Sequence, residues 1–361
     1  MKYLLEITRG LAALWVFLFH IKSLFEEPIP PLHWLASFGY LGVPMFFVIS
    51  GYVITHSAES SNRNNKAPTI FLRNRFNRIY PTFWASVIIV LTVPYIIESI
   101  SFIKSGIYEW PANKLIIFNS IEWANFLLLS KVFMSKNGDL QGEFTAINAV
   151  YWTLAIEFQF YLAIYLLLYL KRYFKHAIIV LTILCFALIS TSTNINYGLF
   201  TNYWPSFSIG IGLAYLHLQN IKYNPNSRHT FIVIMILICG LYIDGLTNIE
   251  TFNVGFSICF GCLLFCISNL EVILEKCKNS TNILVSFLIN LALIIGTMSY
   301  SIYLLHGKIY QIPEMFVRQF IQQDNPFYII FVIIGTLILC YPFYLFVERK
   351  FLSKNYDMPK K

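Results

Sequence analysis

Hydrophobic positions in this chain gather into long unbroken runs, not into alternating stretches. The runs fall near 4–22, 35–56, 79–100, 146–170, 177–194, 200–219, 230–247, 252–270, 283–305 and 327–348. Each approaches the ~20 residues that a helix needs to cross ~30 Å of hydrocarbon. Spanning strands would instead alternate apolar and polar residues. A helix satisfies its own backbone hydrogen bonds in lipid, so the runs predict an all-α, polytopic bundle of about ten transmembrane helices. The longest connection, 101–145, is partly apolar but broken by Asn113, Asn119, Glu122 and Asn125. It reads as an interfacial or re-entrant segment. No internal repeat or linker divides the chain. Residues 1–350 read as one integral-membrane domain and 351–361 as a short cytoplasmic tail.

Composition strengthens this picture. The 361 residues are 57% hydrophobic and 12% charged, against ~25% charged in a soluble domain. The net charge of +8 could suggest nucleic acid, but the positions argue for topology. Of the 26 basic residues, 18 fall at the two termini and in the loops on their side. These include Arg63, Lys66, Arg73, Arg75 and Arg78 after the second run, and Lys171, Arg172 and Lys175 after the fourth. Seven fall on the other side, and Arg9 lies within the first run. The positive-inside rule then puts both termini in the cytoplasm, in a multi-pass cell (inner) membrane protein. Six of the seven cysteines lie inside apolar runs. Cys259 and Cys262, with Cys266 one turn on, read as small-residue helix packing, with no disulfide framework and no metal.

Ionisable residues at membrane depth are costly and tend to face polar cavities. In the first run, Arg9 and His20 are eleven residues apart, close to three turns, so they share a face about 16 Å apart along the axis. Glu6 precedes Arg9 on that face. A snorkelling arginine with an unrelated interfacial histidine is the plain alternative. Arg75 and Arg78 share a face at the cytoplasmic mouth of the third helix, where guanidinium forks suit phosphate. Positive-inside topology alone would also place them there. Glu157, deeper in its helix than Trp152, needs a partner or a proton, and His20 lies at a similar estimated depth. A structural hydrogen bond would serve as well. Ser299, Tyr303 and His306 can form a polar stripe at the outer end of the ninth run, or belong to an aromatic belt.

Taken in order, these segments resemble the acyltransferase 3 family of membrane acyltransferases. The likeness rests on Arg9-x10-His20, Gly42-Val-Pro44-x-Phe-Phe47-x3-Gly51, Arg75-x2-Arg78-x2-Pro81, Trp152-x-Leu154-x2-Glu157-x3-Tyr161 and Ser299-Tyr-Ser-x-Tyr-Leu-Leu-His306. The chain departs at Glu6, where the family more often has Asp, and after Glu348, which lacks the Pro that commonly follows. The resemblance implies transfer of an acyl group, most often acetyl from acetyl-CoA, to a hydroxyl, often of a cell-surface or lipid-linked sugar such as lipopolysaccharide or another polysaccharide; the direct acceptor is expected to be such a glycan or a small hydroxylated molecule. On that reading His20 is the general base and Glu157 orients it. Arg75 and Arg78 bind the CoA phosphates, with Arg9 further along the path. Trp152, Ser299, Tyr303 and His306 are candidates for binding the acceptor. A secondary transporter or a membrane glycan polymerase or flippase would also bury charges. The former predicts inverted repeats and the latter large polar external loops.

Overall fold

The computed structural model describes residues 1–25, 29–107, 118–130, 144, 147–190, 198–221 and 249–352, and within them it is all-helical. The expected run at 230–247, much of 101–145 and the tail beyond 352 lie outside the described residues. Seven segments are long and apolar enough to span a bilayer, and a bent pair makes an eighth. Large apolar side chains such as Ile183 and Ile338 stand exposed on the bundle's outside, where lipid would cover them.

The first helix, α1 (Lys2–His20), is continuous. Its first turn is capped from a distance: both Glu271 carboxylate oxygens accept backbone N–H groups, from Tyr3 and Leu4, at 3.0 Å. This satisfies donors that have no partner inside the helix. A short helix α2 (Pro30–Ser37) leads into α3 (Gly42–Arg63). Next comes α4 (Pro68–Ser105), whose 38 residues exceed the hydrocarbon thickness at 1.5 Å per residue. Arg75 and Arg78 therefore lie within the helix, in its early turns.

The connection after α4 contains α5 (Ser120–Leu127), started by a capping box between Asn119 and Glu122. At eight residues it is too short to span, in keeping with the expected non-spanning segment. The chain continues through α6 (Trp152–Leu168), α7 (Phe174–Ser190) and α8 (Trp204–Leu218). Then follow α9 (Ile249–Cys266), α10 (Leu270–Lys278) and α11 (Ile283–Thr297). The last helices are α12 (Ser299–Ile309), α13 (Gln311–Val317) and α14 (Pro326–Phe346). The ninth apolar run, expected as one helix, breaks at Met298, and α12 leaves α11 at a bend of 72°.

Helix α1 packs on α3, α11 and α12, while α4 lies against α6 and α12. The tightest pairing is α3 on α8. A Cβ built on Gly210 would sit 1.9 Å from the Val48 carbonyl oxygen, and one on Gly51 would sit 2.0 Å from that of Phe207. Backbone meets backbone there, so no side chain can yield. We expect Gly210→Val to destabilise the protein by about 1–3 kcal/mol, seen as a lower melting temperature in detergent. An unchanged melting temperature would contradict this packing.

Candidate active site

The polar residues singled out in the sequence lie along the path of contacts among α1, α3, α4, α6 and α12. They divide into two ends.

At one end stand the two histidines. The His20 and His306 ring centroids are 5.0 Å apart, and His306 Nε2 approaches His20 Nδ1 at 3.4 Å. The backbone sets both tautomers. His20 Nδ1 lies 2.9 Å from the Val16 carbonyl oxygen, and His306 Nδ1 lies 2.9 Å from that of Ile302. A carbonyl can only accept, so each Nδ1 carries the proton. His306 then turns an Nε2 lone pair toward the His20 N–H, and the His20 Nε2 lone pair is left available. His306 is fully buried. Next to it, the Tyr303 hydroxyl shares a 2.7 Å hydrogen bond with Thr153 Oγ1 and contacts the Val150 carbonyl. The Asn148 amide donates to the Leu304 carbonyl at 2.8 Å. Trp152 packs on Tyr203.

At the other end stand the charges. Arg75 donates through Nη2 to Ser57 Oγ at 2.9 Å. Arg78 donates through Nη2 to Glu348 Oε1 at 3.1 Å and lies over the Tyr300 ring. Arg75 interacts electrostatically with Arg9, Arg78, Glu157 and Tyr161. Arg75 Nε and Arg78 Nη1 are buried without a hydrogen-bond partner. Both guanidinium groups are thus anchored by one nitrogen while another is left unfilled. Unfilled buried donors on paired cations fit an anionic group.

The expected pairing of His20 with Glu157 does not form. Glu157 Oε1 accepts from Ser50 Oγ at 2.9 Å and from the Tyr161 hydroxyl. The reason is depth. The chain enters α6 through a 3-10 turn at Ala149–Tyr151, and this turn already sits at the level of Tyr303 and Leu304. Glu157 lies four residues beyond Thr153, about 6 Å deeper, at the arginine end. The stripe on α12 also differs from the expected outer position. Ser299, buried at the start of α12, adjoins Tyr300 under Arg78, whereas His306 reaches His20. The stripe therefore runs from one end of the path to the other.

Sequence reasoning assigned no role to Ser50, Ser57, Ser301 or Glu348. Small hydroxyls in apolar helices carry little signal. Glu348 did carry one, as an acid just beyond an apolar run.

The site is thus a histidine pair joined along one helix to a partly buried arginine cluster, in an all-helical bundle. The chain belongs to the acyltransferase 3 family: the family's acyltransferase domain matches residues 2–345. Among curated relatives, it is 26% identical over 392 residues to O-acetyltransferase OatA of Staphylococcus aureus (strain NCTC 8325 / PS 47), covering 99% of this chain and 59% of that protein. It is 25% identical over 385 residues to the putative O-acetyltransferase SACOL0978 of Staphylococcus aureus (strain COL), covering 98% of this chain and 58% of the relative. The chain thus spans about three-fifths of the length of these relatives. No solved structure matches it.

Proposed function

We propose that this protein is a membrane O-acetyltransferase that moves acetyl from cytoplasmic acetyl-CoA to a hydroxyl of a cell-surface or lipid-linked sugar. The observation that carries the reading is the spacing on α1. Arg9, within electrostatic range of Arg75, and His20, beside His306, lie on one helix face about 16 Å apart, comparable to the reach of a pantetheine arm. Arg75 and Arg78 would hold the phosphates, with Arg9 along the arm. Bound there, the donor supplies the thioester carbonyl that the acceptor oxygen attacks, with the thiol as leaving group.

The chain's own residues do the proton work. His20 Nε2 takes the proton of the acceptor hydroxyl, because Nδ1–H is committed to Val16. The positive charge that forms on His20 is met at Nδ1 by the Val16 carbonyl and by the His306 Nε2 lone pair. His306 therefore takes the orienting role that the sequence suggested for Glu157. Glu157, bonded to Ser50 and Tyr161, serves as counter-charge to the arginine cluster. Trp152 and Tyr303 lie at the histidine end, where an acceptor would arrive, and Ser299 lies buried at the start of α12.

The test is direct. Purified protein with radiolabelled acetyl-CoA should transfer label to an isolated cell-surface glycan fraction or, without acceptor, slowly to water. No label movement under either condition would remove the reading. Orientation is tested separately. Reporter fusions at Asn64 and Gly138 should give opposite signals, cytoplasmic for the first, as the distribution of basic residues predicts. The same signal at both sites would overturn this topology.

A further inference from the structure

Glu348 lies just beyond α14 and is fully buried. A buried carboxylate is costly unless donors fill its lone pairs. Here three do. Oε1 accepts from Arg78 Nη2 at 3.1 Å. Oε2 accepts from the backbone N–H of Ser301 at 3.0 Å and from its Oγ–H at 2.5 Å. Ser301 is in the first turn of α12, where N–H groups lack intrahelical partners and a negative charge is favoured. The carboxylate is thus fixed on one side by the start of a helix and presents its other oxygen to Arg78.

Arg78 needs such a hold. Arg75 stands within electrostatic range of both Arg78 and Arg9, and like charges in a poorly solvated site push one another away. The Tyr300 ring, 5.3 Å from the guanidinium carbon, limits the cation from one face without fixing its rotation. Only part of the fork is used: Nη2 is taken by Glu348, while Nη1 is buried and unpartnered.

We propose that Glu348 is a positioning residue for donor binding: anchored by Ser301, it holds Arg78 by one nitrogen so that the other faces the anionic group of the acyl donor. This rests on reading Arg75 and Arg78 as the donor site. The same geometry makes Ser301 part of the device, although it touches neither the arginine nor the donor.

The test uses variants that keep the charge. Glu348→Asp retains the carboxylate but shortens the arm by one methylene, about 1.5 Å, so it cannot reach Ser301 and Arg78 together. The KM for acetyl-CoA should rise about tenfold or more, the size expected for a lost charge-assisted bond, with kcat changed by less than about threefold. In an Arg78→Ala background the same substitution should add no further rise, because Glu348 acts through Arg78. A purely structural Glu348 would lower the active fraction and the melting temperature, leave KM unchanged and add to Arg78→Ala; that pattern overturns the inference. If Arg78→Ala raises KM and Glu348→Asp does not, the positioning role alone falls. If Arg78→Ala leaves KM unchanged, the donor-site reading falls and this inference with it. Should Glu348→Asp fail to accumulate, Ser301→Ala keeps the charge and the backbone bond. A KM rise of about threefold or more that disappears without Arg78 supports the role, and an unchanged KM overturns it.

Discussion

Replacing His20 with alanine should cut acetyl transfer by about 10²–10⁴-fold, the contribution typical of a positioned general base, and leave the protein inserted and folded. His20 is partly buried at the C-terminal end of α1, and its Nδ1 contacts are to the Val16 carbonyl and His306, so removing the ring deletes no anchor of the bundle. The donor site is about three turns away along the helix, so acetyl-CoA binding should persist. His306→Ala should have a smaller effect on rate, because it removes a lone pair that meets the charge on His20, not the base itself. The two residues would act as a unit, so the double variant should be little slower than His20→Ala alone. Initial rates with saturating acetyl-CoA, beside calorimetric CoA binding, measure all of this. A fully active His20→Ala protein would eliminate the mechanism and leave the family assignment standing.

The second large effect is on donor binding. Arg75→Ala and Arg78→Ala should each weaken CoA binding by about tenfold to a hundredfold, corresponding to about 1.5–3 kcal/mol for a hydrogen bond to a charged group. Lysine at either position should rescue only in part. It restores a point charge but not the fork that lets one nitrogen stay on Ser57 or Glu348 while another meets the ligand. Arg73, two residues before Arg75, is exposed and serves as the control: its replacement should change CoA binding little, as for a solvated surface charge. Unchanged calorimetric binding in a folded Arg75→Ala/Arg78→Ala protein would refute the donor site.

Much of this was legible in one dimension because lipid imposes a simple rule. Backbone groups must be satisfied within each segment, so long apolar runs such as 327–348 become helices whatever surrounds them. The same rule makes buried charges stand out, which is why Arg9, His20, Arg75, Arg78 and Glu157 could be picked from composition and spacing. Helical periodicity also placed Arg9 and His20 on one face correctly, since α1 is unbroken. Partnership was a different matter. Which ionisable groups meet depends on how deeply each helix is set against its neighbours, and no local pattern encodes that. The turn at Ala149–Tyr151 sets the start of α6 level with Tyr303 and Leu304, so Glu157 meets Ser50 and Tyr161 instead of His20. The 72° break at Met298 turns α12 so that one end reaches Glu348 and the other reaches His20. Sequence thus determined the helices and the inventory of costly charges, through rules that act within a segment. The tertiary structure alone decided the pairs, because burial cost is relieved by whichever donor or acceptor the packing brings within hydrogen-bond reach.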